Sequence, residues 1–290
     1  MRIAFLGTPA PAVPTLRALV ANGHDVVLVV TRPDKKRGRG GELSPSPVKT
    51  AALELGLNVS HTLKDLYDVD AELGVVVAYG ALIPAALLEV VPMLNVHFSL
   101  LPRWRGAAPV ERAILSGDKE TGVCIMTLEE ALDTGPVHLE QRIAIGEKTS
   151  NQLLEELSIL GANALCEVVG SEVLLKNPTP QVGEATYAEK LSSETFQLKD
   201  TESATQLARI VRLGRAYTFI GGKRLKVLEA HAIDFQGGPG SIILENGVPA
   251  LVASDGALVL DVVQPEGSKS MAGPQWWHGA RLEPSSAHWG

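Results

Sequence analysis

An asparagine and a histidine two positions apart are the residues of this chain best suited to catalysis. Asn95 and His97 lie in the apolar run LNVHF, which has the composition of a buried strand. Side chains two residues apart leave a strand on the same face, so the amide and the imidazole face one space. Both groups carry N–H donors, which suit the oxygen of a carbonyl that becomes negative during acyl transfer.

A carboxylate that could complete this pair follows 36 residues after His97, in the turn-like string Leu132-Asp133-Thr134-Gly135. Asp133 could orient the imidazole or accept a proton through water. A turn aspartate that caps Gly135 would explain the same residue without any chemistry. The residues alone leave both interpretations open.

Other kinds of catalytic site find little support in the sequence. Ser99 and Cys124 lack the neighbours that activate a nucleophile. The histidines are scattered and no His or Cys pair has ligand spacing, so we expect no metal site. The turn at Gly7 lacks the G-x-G-x-x-G pattern of a dinucleotide site. Direct transfer between two bound substrates is therefore the chemistry that the pattern favours.

Length and composition indicate a globular protein of two domains, because 290 residues exceed the usual size of a single core. No apolar run reaches the ~18 residues of a membrane span, and the N-terminus lacks a signal-peptide pattern. Cys124 and Cys166 stand apart in apolar settings, which predicts reduced thiols. We therefore expect a cytoplasmic protein with no membrane partner. The net charge of −7 argues against non-specific binding to nucleic acid, although a local basic patch remains compatible with it.

The first part of the chain alternates apolar strands with helices. Continuous apolar strands of this kind predict an α/β domain with a parallel, Rossmann-like sheet, whose ligands bind beyond the carboxyl ends of the strands. Leucine spacing further predicts one helix from Thr149 to about Leu175. The predicted strands are Arg2 to Leu6, Val26 to Val30, Leu73 to Ala78 and Leu94 to Phe98.

The last hundred residues have a different pattern, with four or five short β-like runs separated by Gly-rich turns. This pattern predicts a smaller β-barrel, with the oligonucleotide-binding (OB) barrel among the candidates. The Pro-containing string KNPTPQVG before it is typical of a linker. We therefore predict a catalytic domain over 1–176, a linker over 177–190 and an OB-like domain over 191–290.

The strongest basic cluster lies between Thr31 and Pro47, in a segment rich in Gly, Pro and charge that predicts an exposed, mobile loop. A solvated charged loop is the simpler interpretation. The alternative is a finger whose cations contact the phosphates of a nucleic acid. The cations of this cluster are Lys35, Lys36, Arg37 and Arg39.

Seven short segments in the same order resemble the methionyl-tRNA formyltransferases, within the superfamily of 10-formyltetrahydrofolate-dependent transferases. The Asn-x-His pair with a later Asp is shared by that superfamily, whereas PRWRGAAP and YAEKLS are more specific to the tRNA enzymes. The resemblance covers nearly the whole chain. The segments are GTP at 7–9, GRG at 38–40, SPSPVK at 44–49, VVAYG at 76–80, NVHFSLLPRWRGAAP at 95–109, LDTG at 132–135 and YAEKLS at 187–192.

The resemblance implies transfer of the formyl group of 10-formyltetrahydrofolate to the α-amine of methionyl-initiator tRNA, which serves translation initiation. It implies no permanently bound cofactor, because the folate is a co-substrate, and we expect a monomer. Asn95 and His97 would stabilise the tetrahedral intermediate, while Asp133 would hold His97 and help to move the proton.

The resemblance also assigns binding residues. The segment Ser99, Leu100, Leu101 and Pro102 would line the folate site, and Tyr79 with Gly80 would cup the pteridine. Lys35, Lys36, Arg37 and Arg39 would contact the tRNA, with Arg39 entering the acceptor arm. The C-terminal barrel would lie along the tRNA backbone.

Two departures and two alternatives accompany this prediction. Ala131 replaces a glycine that the family usually has, and Pro136 replaces an acidic residue, so the folate loop could differ. A related enzyme would formylate a sugar-nucleotide amine or glycinamide ribonucleotide instead, which the basic cluster and the second domain argue against. A nucleic-acid-binding module without catalysis would leave Asn95, His97 and Asp133 coincidental.

Overall fold

The structure is a computed structural model that describes residues 1–37, 41–282 and 287–290, with the backbone alone at residue 37. The described chain divides into two compact units. The first comprises Met1–Val110, Glu120–Ala144 and Leu153–Glu189, and the second comprises Glu111–Lys119, Ile145–Gln152 and Lys190–Gly290. The predicted bounds 1–176, 177–190 and 191–290 stay a prediction.

Strands and helices are numbered here in chain order. Three short 3₁₀ helices, Ala10–Ala12, Leu63–Tyr67 and Glu194–Phe196, complete the described secondary structure. The helices are α1 Val13–Ala21, α2 Pro47–Glu54, α3 Ala85–Val90, α4 Pro109–Ser116, α5 Ser150–Gly170, α6 Glu172–Lys176, α7 Ala204–Val211 and α8 Gly273–Ala280. The strands are β1 Arg2–Gly7, β2 Asp25–Val30, β3 Lys35–Arg37, β4 Glu42–Ser44, β5 Val59–Ser60, β6 Leu73–Val77, β7 Met93–His97, β8 Arg105–Gly106, β9 Glu120–Thr127, β10 Val137–Ala144, β11 Tyr187–Ala188, β12 Tyr217–Ile220, β13 Lys223–Ile233, β14 Ile242–Glu245, β15 Val248–Ala253, β16 Gly256–Pro265 and β17 Met271–Ala272.

The first unit is built on a seven-stranded sheet in the order β10-β9-β7-β6-β1-β2-β5. The five strands from β7 to β5 run parallel, whereas β9 pairs antiparallel with both β7 and β10. Strands β1 and β6 are buried along nearly their whole length, as apolar runs require when both faces of a sheet are covered. The predicted α/β class with a Rossmann-like parallel sheet is confirmed.

Helix α5 supports the strand that carries Asn95 and His97. Its Gly161 has no room for a side chain, because a Cβ there would lie 2.7 Å from the Cγ1 of Val96. The predicted single helix from Thr149 to about Leu175 is wrong, since the chain leaves helical geometry at Ser171 (φ −120°, ψ 110°). The Ser171 hydroxyl accepts a hydrogen bond from the N–H of Leu174 and so begins α6 as a separate helix.

The second unit contains an antiparallel half-barrel in the order β12-β13-β16-β15-β14, with β17 paired to β16. The final residues bridge its two edges, since Trp289 pairs with Ile220 and His288 pairs with Ser241. Trp276 and Trp277 on α8 are buried in the core of this unit, and their rings meet edge to face. The predicted second, smaller β-barrel domain of OB-like type is confirmed, although the sequence did not predict α8.

The basic segment is more regular than the sequence predicted. Its described residues form a small hairpin in which Lys35 pairs with Ser44 and Lys36 pairs with Leu43. Alternating residues on two short extended runs can pair in this way without a buried core, so the segment predicted as an exposed loop contains two short paired strands. Across the described parts of the chain, none of the helices combines the length and the apolar character needed to cross a membrane.

Candidate active site

Strand β7 brings Asn95 and His97 to the carboxyl end of the parallel sheet. The strand is bonded on both sides, with Asn95 paired to Val76 of β6 and His97 to Cys124 of β9. His97 is 5% exposed and Asn95 is half-buried. The Asn95 amide lines the adjoining cavity, and its N–H donors have no hydrogen-bond partner among the described residues.

The imidazole of His97 is oriented by the loop that follows β7. Its Nε2–H donates to the carbonyl oxygen of Trp104, at 2.9 Å. Because a carbonyl oxygen can only accept, the proton of the neutral ring is assigned to Nε2. The other ring nitrogen, Nδ1, then carries no proton and lies on the opposite side of the ring. Trp104 has a left-handed φ of 62°, and its backbone N–H donates to the hydroxyl of Thr186.

Asp133 approaches His97 from the opposite side. Its Oδ2 lies 3.8 Å from Nδ1 of His97 and accepts a 2.7 Å hydrogen bond from the N–H of Gly106. The side chain is 10% exposed. Asp133 has a left-handed φ of 51°, and this conformation turns its carboxylate towards the imidazole.

The departure at Ala131 has little consequence for this turn. The left-handed residue of the loop is Asp133 and not Ala131, so the loop places no demand for glycine at position 131. The tight contact lies at Gly135, where a Cβ would come within 1.9 Å of the carbonyl oxygen of Thr127. Pro136 contributes its carbonyl oxygen, which accepts from the N–H of Thr127.

These three side chains line one cavity of about 580 Å³, a size typical of small-molecule sites. Its walls are mostly apolar, and Leu82 and Leu132 are strongly exposed at its edge. Tyr79 and Gly80, which the resemblance assigned to the pteridine, also line it. The loop that carries them is held by the hydroxyl of Thr8, which donates to the Tyr79 carbonyl. Burial raises the pKa of the Tyr79 phenol, so this group keeps its proton at neutral pH.

The four residues predicted for the folate site from Ser99 to Pro102 are placed differently. None of them is among the described residues that line this cavity. Ser99 is fully buried, and its hydroxyl donates to the carbonyl of Arg103 at 2.6 Å. In this structure, the segment therefore supports the loop that orients His97, and its contact with folate stays a prediction.

Cys124 lies beside His97 on the neighbouring strand β9 and is not suited to act as a nucleophile. Burial raises the pKa of its thiol to about 12, so the thiolate is absent at neutral pH. Both cysteines are free. Within the described residues, no group of three His, Cys, Asp or Glu side chains could hold a metal ion.

The predicted tRNA-contacting cations are only partly described. Lys35 and Lys36 are exposed on β3, and Arg37 ends that strand. Arg39 lies outside the described residues. The base of the hairpin is fixed by Lys49, whose ammonium group lies 2.8 Å from the Asp34 carboxylate.

The Asp133 turn is held by two residues, Gly106 and Gln181, to which the sequence assigned no role at this turn. The Gly106 N–H binds the carboxylate, and the Gln181 amide binds the carbonyls of Asp133 and Gly135. Gln181 comes from the segment predicted as a linker, 48 residues beyond Asp133. No periodic pattern connects positions so far apart, so only the three-dimensional structure could find them.

Comparison with known proteins agrees with this geometry. The family profile described as formyl transferase matches residues 1–169, and that described as formyl transferase, C-terminal domain, matches 190–281. A methionyl-tRNA formyltransferase from Jannaschia sp. (strain CCS1) is 42% identical over 303 residues, covering 99% of each chain. The chain belongs to the methionyl-tRNA formyltransferase family. The resemblance seen in the sequence is thereby confirmed.

Solved structures show the same fold at lower identity. Methionyl-tRNA formyltransferase from Clostridium thermocellum superposes with a TM-score of 0.56 at 15% identity, covering 91% of this chain and 98% of that chain. HypX from Aquifex aeolicus in complex with tetrahydrofolic acid gives a TM-score of 0.66 at 16% identity, covering 96% of this chain but 47% of the longer HypX chain. The fold of the methionyl-tRNA formyltransferase family therefore extends to a folate-bound protein.

Proposed function

We propose that the protein transfers the formyl group of 10-formyltetrahydrofolate to the α-amino group of methionyl-initiator tRNA. The product is N-formylmethionyl-tRNA, with which translation is initiated. One observation carries this conclusion: Asn95, His97 and Asp133 converge on one cavity in a chain that matches a methionyl-tRNA formyltransferase along its whole length. The folate is a co-substrate of this reaction, and no permanently bound cofactor is required.

The reaction requires stabilisation of an oxygen and movement of a proton. The methionine nitrogen forms a bond to the formyl carbon, the carbonyl electrons move to oxygen, and the bond from carbon to N10 of the folate then breaks. The amine loses one proton and N10 gains one, so the overall proton balance is zero. The protein must therefore supply N–H donors near the oxygen and an acceptor near the amine.

Asn95 and His97 are suited to the first task. The Asn95 amide has N–H donors without a partner among the described residues, directed at the cavity. The Nε2–H of His97 already donates to Trp104, so a second donor on this ring must be the Nδ1–H of its protonated form. The N–H donors of Asn95, which are in place before the reaction, stabilise the developing oxyanion without the cost of reorienting solvent.

Asp133 is suited to the second task. Its carboxylate lies beside Nδ1 of His97, where it stabilises the protonated ring and can accept the amine proton directly or through water. The apolar walls of the cavity strengthen both interactions because they exclude water. Tyr79 lines the pocket in which we place the pteridine, and its phenol stays protonated because burial raises its pKa. Gly80 and the segment Ser99 to Pro102 complete the proposed folate contacts.

For the tRNA, we propose contacts to phosphate from Lys35, Lys36, Arg37 and Arg39. The exposure of Lys35 and Lys36 on a hairpin anchored at its base supports this proposal. Lysine ammonium groups and arginine guanidinium groups bind phosphate oxygens strongly and independently of sequence. Substitution of Lys36 by alanine should therefore raise the KM for tRNA and reduce the salt dependence of binding by a slope of about 0.7–0.9.

The central experiment measures formyl transfer directly. Purified protein is incubated with methionyl-tRNA in the presence and absence of 10-formyltetrahydrofolate, and formylmethionine is detected by mass spectrometry after deacylation. We expect the formyl group only when the donor is present. Glycinamide ribonucleotide and an amino-sugar nucleotide serve as alternative acceptors, and preferred formylation of either would overturn the tRNA assignment. Binding of tRNA without any formyl turnover would indicate a module without catalysis.

Two further properties are proposed from the same function. We place the enzyme in the cytoplasm, because both cysteines are free and both substrates belong to that compartment. We also propose that it acts as a monomer, since one chain supplies all three side chains of the cavity. Sedimentation at the concentration of the assay would test the monomer, and a dimeric mass would contradict it.

A further inference from the structure

The side-chain amide of Gln181 makes four hydrogen bonds near the cavity. Its Nε2 donates to the carbonyl oxygen of Asp133 at 2.9 Å and to that of Gly135 at 2.8 Å. Its Oε1 accepts two hydrogen bonds from the guanidinium of Arg105, at 3.1 Å from Nε and 2.6 Å from Nη2. All the hydrogens of this amide, and both lone pairs of its oxygen, are therefore in use.

The orientation of the Gln181 amide follows from its partners. A guanidinium group can only donate, and a carbonyl oxygen can only accept. Rotating the amide by half a turn would direct its hydrogens at Arg105 and its oxygen at the two carbonyls, so all four hydrogen bonds would be lost. The arrangement therefore has one acceptable orientation, and Arg105 sets it.

The two bonded carbonyls belong to the turn that aims the carboxylate. Asp133 has a left-handed φ, and Gly135 is pressed against the Thr127 carbonyl. A non-glycine residue adopts the left-handed region at an energetic cost and persists there only where its surroundings hold it. Gln181 bonds to the carbonyls on either side of Thr134 and so fixes both ends of this turn.

The same short strand holds the Asp133 turn by two routes. Arg105 of β8 anchors Gln181, and the next residue, Gly106, donates its N–H to the Asp133 carboxylate. Strand β8 is in turn paired with Tyr187 and Ala188 of β11, which lie a few residues after Gln181. The segment from Gln181 to Ala188 therefore contacts both the Asp133 turn and β8.

We propose that Gln181 is a positioning residue for formyl transfer, which acts by holding the Asp133 turn so that its carboxylate faces His97. This inference rests on the proposed function, because it assigns Gln181 a role through Asp133. Gln181 itself is absent from the described residues that line the cavity, so we assign it to positioning and not to contact with a substrate.

The principal variant is Gln181→Glu. A glutamate keeps the length of the side chain and the bond to Arg105, but it cannot donate to the two carbonyls. We expect kcat per folded enzyme to fall on the order of 10–100-fold, because misplacement of a catalytic group by about 1 Å can cost 10²-fold. The KM for both substrates should change little, and the pH dependence of kcat should shift. A purely structural role would lower the folded fraction and leave this pH profile in place.

Gln264→Glu is the matched control. Gln264 also donates its amide to a carbonyl, that of Ser268 at 2.9 Å, but it lies in the second unit on β16. The same chemical change there should leave kcat and its pH profile as in the unmodified protein. An equal loss of kcat in both variants would overturn a specific role for Gln181.

A double variant tests whether Gln181 acts through Asp133. If it does, Gln181→Glu should cost little more in a protein that already carries Asp133→Asn, because residues that act as a unit are not additive. A full additional 10–100-fold loss in that background would overturn the proposal.

Hydrogen exchange provides a measurement that does not depend on activity. The Gly106 N–H is bonded to the Asp133 carboxylate, so Gln181→Glu should accelerate its exchange while leaving the Ile125 amide in the core of the sheet protected. Unchanged exchange at Gly106 would overturn the positioning role. Faster exchange in a protein that fails to formylate methionyl-tRNA would retain the positioning role and reject the proposed function.

Discussion

Asn95 and His97 enter the cavity from a strand that is paired on both sides, whereas Asp133 enters it from a turn with a left-handed φ. The strand side is supported by two ladders of backbone hydrogen bonds and by the close approach of α5 at Gly161. The turn side is supported by a few hydrogen bonds from residues distant in sequence. Asn95 and His97, the proposed donors, are therefore placed by the core of the fold, whereas Asp133, the proposed proton acceptor, is placed by side-chain and backbone bonds that can be removed singly.

Among the substitutions that test this comparison, Asp133→Asn should lower kcat the most. Asparagine retains an oxygen for the Gly106 N–H, so the turn should persist while the proton acceptor is lost. We expect kcat to fall by about 10²–10⁴-fold, the usual contribution of a general base, with little change in KM. Formylation of methionyl-tRNA at saturating substrates is the measurement.

Asp68→Asn is the matched control for this variant, because Asp68 is exposed and is not among the described residues that line the cavity. It should retain full activity. Full activity in Asp133→Asn would remove Asp133 from the mechanism and leave the turn with a structural role only.

Substitution of Asn95 by leucine tests the strand side. Leucine has nearly the same shape but no N–H donor, so kcat should fall by about 10²–10³-fold, as when one oxyanion donor is removed. The melting temperature should change little, because both ladders of β7 use backbone groups. The same change at the exposed Asn151 is the control. A large loss of stability in Asn95→Leu alone would break the comparison, since it would show that the strand depends on this side chain.

Substitution of Ala131 by glycine should have the smallest effect. The φ of residue 131 is not left-handed, so glycine would relieve no backbone strain there. It would add conformational freedom to the unfolded chain. We expect the free energy of unfolding to fall by about 0.4–1 kcal/mol and the KM for the formyl donor to stay nearly constant. Denaturant unfolding and initial-rate kinetics measure the two quantities. A KM that falls severalfold would mean that Ala131 restrains the folate loop.

The sequence predicted the strand side of the site well. Period-two spacing placed Asn95 and His97 on one face, and the rule for parallel sheets placed them at the carboxyl edge beside Tyr79 and Gly80. These are local patterns, in which a few adjacent residues determine both the element and its direction. The α/β class and the β-rich C-terminal domain followed from the same kind of signal.

The turn side could not be predicted in this way. The hydrogen bonds that place Asp133 come from Gly106 and Gln181, which are 27 residues before it and 48 residues after it. Composition assigned Gln181 to a linker, since proline and glycine neighbours are typical of one. The break at Ser171 was missed for a related reason, because apolar spacing continues through it while the backbone turns.

The closure of the Asp133 turn by Gln181 has a consequence for the order in which the protein folds. Contacts between distant parts of a chain form slowly, because the intervening segment must first be brought together against its loop entropy. The Asp133 turn has to wait for a residue 48 positions further along, and strand β1 pairs with β6 across a still longer stretch, with Ile3 beside Leu73. The proposed transfer needs both the sheet that carries Asn95 and His97 and the turn that carries Asp133. During refolding, the sheet should therefore regain its protection from exchange no later than formyl transfer returns. A refolding species with a protected sheet but without activity would be one in which the Asp133 turn is not yet bonded to Gln181.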